Sequence, residues 1–257
     1  MQEKPYFEIS GLSAGYGGKP LIEDINIKLK KGRILTLIGP NGAGKSTVLK
    51  TITGHLPSIA GSVYIAGRST AAMSRKELAS TIAVLLTERV KTDMMTCRDV
   101  VETGRYPYTD LLGILSNEDR HAAERAMAAA GISDLADRDF MTLSDGQKQR
   151  VMLARAEAQE SDILVLDEPT SYLDIKYQLE LLSTLRRLSS ERGTTVIMSL
   201  HELFLAERIS DIIMCIKDRR IDNIGTPSEI FSGTYIDSLY DLAPGTYRSL
   251  RADQVYF

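Results

Sequence analysis

The sequence predicts an α/β fold built on a mainly parallel sheet, with a helical segment inserted into it. Short apolar runs alternate with amphipathic, helix-like stretches, the order that builds βαβ units. Between about residues 88 and 155 that alternation stops and alanine-rich helical sequence takes over. The sheet-forming core is therefore split in sequence around an insertion.

The elements follow in order. YFEIS, then LIEDINIKLK with apolar residues at every second position, then RILTLIG ending in glycine, read as the opening strands. A glycine-rich turn leads into KSTVLKTITG, a helix closed by Gly54. SVYIAG (62–67) reads as a strand, SRKELAS as a short helix and TIAVLL (81–86) as a buried strand. Inside the insertion NEDRHAAERAMAAAG starts at a capping box from Ser116 to Asp119, and nothing there reads as a strand. LSDGQKQR opens a further helix, with Ser144 and Gln147 at capping-box spacing. Beyond it DILVLDEP, TTVIMSL and DIIMCIKD are apolar runs separated by the helix-like YQLELLSTLRRLSSERG and ELFLAERIS. The expected organisation is one domain over 1–257, with its core in 1–87 and 156–257 and a helical subdomain at about 88–155.

At 257 residues the chain can bury one large core with a smaller appended subdomain. Its 31 basic and 34 acidic residues leave a formal charge of −3, which offers no electrostatic footprint for nucleic acid. Cys97 and Cys215 stand far apart with no CxxC and no clustered histidine, so neither a disulfide framework nor a zinc site is expected. The opening MQEKPYFEIS lacks the apolar region of a signal peptide, and no uninterrupted apolar stretch approaches the roughly 18 residues of a spanning helix. A cytoplasmic chain is expected, and any membrane must come from another polypeptide.

Chemistry enters at GPNGAGKST (39–47), which matches G-x-x-x-x-G-K-[ST] between an apolar strand and a helix. Gly39, Gly42 and Gly44 would let backbone N–H groups wrap the phosphates, in a nucleotide-binding turn that also includes Pro40, Asn41 and Ala43. Lys45 would reach the β- and γ-phosphates, and Ser46, beside Thr47, would hold Mg²⁺. A flexible glycine turn alone would not need Lys and Ser at the helix start. ILVLDEP ends an apolar strand in two carboxylates, where open α/β sheets place their ligands. Asp167 fits a Mg²⁺ ligand, and Glu168 fits a group that polarises a water aimed at the γ-phosphate. The N-terminus of the helix after LSDGQ is both a cap and a ready anion site.

With these residues in place, the chain resembles the ATPase subunits of ATP-binding-cassette (ABC) transporters. LSDGQ (143–147) resembles their signature motif, SYLD (171–174) their D-loop, His201 in MSLHE their switch histidine, and Tyr16 in GYGG the aromatic that stacks on adenine. The likeness covers essentially the whole chain, with the motifs in the family's order. Each also has a local reading: Tyr16 as a loop aromatic, His201 as a helix start, Asp174 as the cap of the helix near Ile175. The resemblance implies a P-loop NTPase core with an antiparallel β subdomain and an inserted helical subdomain. It implies ATP and Mg²⁺ as cofactors, and ATP hydrolysis coupled to transmembrane transport from the cytoplasmic face of the membrane. It also implies a head-to-tail dimer sandwiching two ATP molecules, in which Ser144 and the Gly146 N–H donate to the γ-phosphate held by Lys45 of the partner subunit, with Gln147 and Asp174 also among the nucleotide-binding residues. Integral membrane permease subunits would dock on the helical subdomain, with a substrate-binding protein acting indirectly.

VVETGRYPYTDLLG (100–113) resembles the matching stretch of importers for iron-siderophore, haem and cobalamin, so import of such a chelate is the expected function. A different importer cargo, or a nucleotide-gated binding module with weak hydrolysis, is the alternative. Three positions depart from the family. Thr87 stands where a glutamine touching Mg²⁺ or the attacking water is usual, so it would act through a bridging water or be replaced by Glu88. Asp145 stands where the commonest signature has glycine, and its carboxylate is expected to face solvent or the helix dipole. Glu157 takes a place usually apolar, for which the sequence offers no reason.

Overall fold

The computed structural model describes residues 4–86, 94–110 and 112–253. Thr87 and Glu88 lie outside them. The chain divides into two compact units, Met1–Ala71 with Val196–Phe257, and Ala72–Thr195.

In the first unit, β1 (Phe7–Tyr16) and β2 (Lys19–Leu29) form an antiparallel hairpin that pairs Tyr16 with Lys19. Gly17 and Gly18 have φ of 57° and 75°, the positive pair that a tight two-residue hairpin turn demands. The β1 strand is longer than YFEIS suggests because it runs through a register shift between Ile9 and Leu12, which contains Gly11, and still buries Phe7, Ile9, Leu12 and Ala14. Next come β3 (Ile34–Ile38), buried at all five positions, and α1 (Lys45–Ile52). β4 (Ala60–Ile65) and β5 (Arg68–Ser69) complete a four-stranded sheet in the order β2-β1-β4-β5, whose pairs are all antiparallel.

The second unit opens with α2 (Arg75–Thr81), started by a Ser74–Glu77 capping box, and β6 (Ile82–Leu85). α3 (Cys97–Glu102), α4 (Asn117–Ala129) and α5 (Asp145–Ala158) follow. Cys97, Val101, Met127, Phe140, Val151 and Ala154 belong to one apolar cluster among them. The capping boxes at Ser116–Asp119 and Ser144–Gln147 both form, as their spacing requires. β7 (Ile163–Asp167) pairs in parallel with β6, and α6 (Ile175–Arg192) ends at Gly193 with φ 68°.

The chain then returns to the first unit through β8 (Thr195–Ser199), α7 (Leu203–Ile209), β9 (Ile212–Lys217) and β10 (Arg220–Gly225). β3 lies between β8 and β9, parallel to both, and β10 adds antiparallel to β9. No local pattern in the sequence marks β10. Its turn is Asp218–Arg219, with φ of 48° and 60°, and carries no glycine to announce it. Three short helices close the chain: α8 (Pro227–Ile230), α9 (Tyr235–Leu239) and α10 (Thr246–Asp253).

Candidate functional site

The candidate phosphate loop begins where β3 ends. Gly39 has φ 147°, and a Cβ there would stand 2.0 Å from the Ile216 carbonyl oxygen of β9, so only glycine fits. Gly42 and Gly44 also have positive φ, and Gly44 is the N-cap of α1 with no side-chain cap bond. The first N–H groups of α1 are thus presented without a capping side chain, the arrangement that receives an anion. Lys45 is only 5% exposed, and its ammonium donates to the carbonyls of Gly39 at 2.8 Å and Pro40 at 3.1 Å. Ser46 is half-buried and Thr47 buried, while Asn41 and Gly42 are exposed. These residues fit a triphosphate: close-approaching backbone, a helix start and a buried cation on one loop.

Two other expected residues lie near this loop. The Tyr16 hydroxyl is 3.3 Å from the Thr47 Oγ1, which holds an exposed ring beside the loop. Leu200 donates its N–H to the Leu37 carbonyl at 3.2 Å, so the chain enters His201 alongside the end of β3. The Gly39 N–H donates to the Tyr240 hydroxyl at 3.1 Å. Sequence reasoning missed Tyr240, because no motif marks a tyrosine in the C-terminal helices as a neighbour of the loop.

In the second unit, Asp167 is buried at the C-terminal end of β7, where the parallel β6–β7 pairing ends at Leu85 with Leu166. Glu168 follows at φ 50°, a left-handed conformation uncommon for a non-glycine residue and characteristic of functional turns. The Ser171 N–H bonds back to the Glu168 carbonyl at 3.1 Å, closing the turn. Asp174 caps α6 by accepting from the Tyr177 N–H at 3.1 Å, so its local reading is real.

Ser144 is exposed as the N-cap of α5: its hydroxyl accepts from the Gln147 N–H at 3.3 Å, and Gln147 accepts from the Ser144 N–H at 3.0 Å. The signature and D-loop are brought together. A Cβ on Gly146 would lie 3.4 Å from the Tyr172 carbonyl oxygen, and Gln149 donates to the Pro169 carbonyl at 3.0 Å. Asp145 is exposed in the first turn of α5, the orientation expected of it. Glu157 is explained by packing between helices. It is buried, and its Oε1 lies 3.2 Å from Arg187 and 4.0 Å from Arg192, an ion pair between α5 and α6.

The motifs carried by the two units are those expected of a nucleotide-dependent P-loop ATPase. The ABC transporter family model matches residues 22–171. The chain is 43% identical to an uncharacterized ABC transporter ATP-binding protein of Methanocaldococcus jannaschii, over 92% of this chain and 81% of that one. It is 39% identical to an iron(3+)-hydroxamate import ATP-binding protein of Bacillus subtilis, over 90% and 86%. Among solved structures it resembles the dimeric post-hydrolysis state of an ATP-binding cassette bound to ADP and Pi, with a TM-score of 0.76, 25% identity, and coverage of 86% of this chain and 98% of that one. The chain belongs to the ABC transporter family and is one of its ATPases.

Proposed function

We propose that this chain is the ATP-hydrolysing subunit that powers import of a metal chelate, of iron-siderophore, haem or cobalamin type, through a membrane partner. The observation that carries the reading is the phosphate cradle, in which Gly39, Gly42 and Gly44 bend the backbone and a buried Lys45 lies on the loop's own carbonyls. Relatives named for iron-hydroxamate, petrobactin and cobalamin import support the cargo class. Among the described residues no helix is long and apolar enough to cross a membrane, so a peripheral place on the cytoplasmic face would depend on permease subunits.

In this reading residues 39–47 hold the phosphates, Lys45 neutralises charge on the transferring group, and Tyr16 stacks on adenine. Ser46 and Asp167 would hold Mg²⁺, which when bound would supply positive charge against that developing on the phosphates. Glu168 orients and deprotonates the attacking water, with His201 assisting, and Thr87 or Glu88 completes the shell. Ser144, Gly146 and Gln147 complete the site of a second copy, aided by Asp174, so two chains work head to tail around two ATP molecules. The helical subdomain at about 88–155 receives the permease, and a substrate-binding protein delivers cargo from the other side.

The test is purification from the native source with an integral membrane partner, followed by reconstitution and measurement of chelate uptake and ATP turnover. Glu168→Gln should lose about 10²–10⁴-fold in turnover, the range for a general base, and accumulate ATP-bound dimers. A complex that takes up a cargo of another class would overturn the cargo, and unchanged turnover would overturn Glu168.

A further inference from the structure

The P-loop has a neighbour that none of its motif residues accounts for. Tyr240 follows α9 and reaches back to accept the Gly39 N–H at 3.1 Å. Gly39 opens the loop at a φ of 147°. Its own carbonyl takes the Lys45 ammonium at 2.8 Å, and its Cα packs so closely on Ile216 that no side chain is tolerated. One residue thus carries the loop's turn in its backbone and the resting place of Lys45 on its carbonyl. The Tyr240 hydroxyl meets the N–H that neither of these uses.

The segment bearing Tyr240 is itself tied down. Lys217, the last residue of β9, donates to the Ser238 carbonyl and pairs with Asp241 at 2.7 Å, on either side of Tyr240. Asp237 is buried and accepts from the N–H groups of Gly245 at 2.8 Å and Tyr247 at 2.7 Å. Burial pushes the Tyr240 phenol up to about 12, against a smaller lowering by Gly39, so the group stays a neutral hydroxyl at any physiological pH. A neutral hydroxyl accepts from Gly39 without placing a charge beside the phosphate loop.

We propose that Tyr240 is a positioning residue for the nucleotide: its hydroxyl anchors the Gly39 peptide and so preorganises the loop that Lys45 and the α1 N-terminus present to phosphate. The proposal rests on the assignment of residues 39–47 as the phosphate cradle. A preorganised loop spends less of its binding energy on ordering, so loss of the anchor weakens binding without touching chemistry.

The experiment uses the full chain and Mg²⁺–ATP, with affinity measured by calorimetric titration, Gly39 amide exchange by NMR, and the melting temperature without nucleotide. Tyr240→Phe keeps the ring and deletes the hydroxyl. It should speed Gly39 exchange and weaken ATP affinity about three- to tenfold, the effect of one hydrogen bond. Lys217→Met, which loosens the same segment without touching the loop, should weaken affinity less, and the double variant should be less than additive. Tyr235→Phe, which deletes a hydroxyl bonded to Asp222 at 2.5 Å, should leave affinity unchanged. Wild-type affinity in Tyr240→Phe, whatever its melting temperature, would overturn the proposal. Absence of ATP binding by the unmodified chain would overturn the cradle itself, and Gly39 exchange would still report whether the anchor exists.

Discussion

Asp145 is the residue of the signature stretch that chemistry beside a phosphate would not choose, because a carboxylate facing a γ-phosphate is repelled strongly at low dielectric. Its exposure in the first turn of α5 places it where the helix N-terminus favours a negative charge by roughly 0.3–1 kcal/mol. Asp145→Gly should therefore cost a little helix stability and leave steady-state turnover of the reconstituted complex within about twofold. A larger change in nucleotide-dependent dimerisation would show the carboxylate nearer the phosphate. Glu157 makes the opposite case. Its Oε1 is paired with Arg187, but its buried Oε2 has no hydrogen-bond partner, beside a cavity of about 190 Å³. Buried ion pairs with an unsatisfied atom are often improved on by an apolar residue. Glu157→Leu should be at least as stable as the parent in urea, since Arg187 and Arg192 are partly exposed and can be rehydrated.

At the scale of elements, the short helical segment Thr103–Tyr108 is bound to the C-terminal end of α5 by Arg105. This buried side chain pairs with Asp119 at 2.9 Å and Glu160 at 3.0 Å, donates to the Ala158 carbonyl at 2.8 Å and lies 4.2 Å from the Tyr108 ring centre. α5 thus carries Ser144 at one end and the RYPY segment at the other. Removing one partner of such a pair leaves a buried charge uncompensated, so Arg105→Met should destabilise the chain by about 3–5 kcal/mol. Burial would raise the Asp119 carboxyl, but hydrogen bonds from Ser116 and Arg105 and the Arg105 charge outweigh it and hold the group below its ordinary 3.8. Its stabilisation is therefore present above that range and lost as the pH falls through the folded-state value. Asp119→Asn should be less stable than the parent near neutral pH, with the gap closing in urea titrations as the pH falls below the ordinary carboxylate range. At the other end of α5, Ser144→Ala should cost about 1 kcal/mol as a lost cap. Any loss of turnover beyond that, at full folding, measures the hydroxyl's part in the site of the second copy.

For the whole molecule, the D-loop and α6 expose Tyr172, Ile175 and Leu179 at 70, 66 and 53%. The last two are four residues apart and share a helix face. Gly146 of the signature-like stretch approaches the Tyr172 backbone, so these exposed apolar residues begin beside the helix start expected to meet a second copy. Ile175→Asp should reduce ATP-dependent dimerisation, measured by light scattering on a Glu168→Gln background, while ATP affinity of the single chain stays unchanged. Dimers of unaltered strength would put the interface elsewhere.

The division between sequence and structure follows the range of the forces. Patterns carried by neighbouring residues were legible: the apolar strands, the capping boxes at Ser116 and Ser144, GPNGAGKST, and the carboxylates ending β7. They depend on backbone geometry and on spacings of a few residues, and those are written along the chain. Contacts closed across long loops were not. Tyr240 meets Gly39 across most of the sequence, Glu157 finds Arg187 only once α5 and α6 pack, and Arg105 is buried only because α4 and α5 bring it Asp119 and the Ala158 carbonyl. Sequence alone determined which chemistry this chain is expected to carry, because the candidate phosphate-binding turn is local. The tertiary structure decided which distant polar groups are buried with partners, because a buried charge or N–H must be satisfied by whatever the fold brings to it.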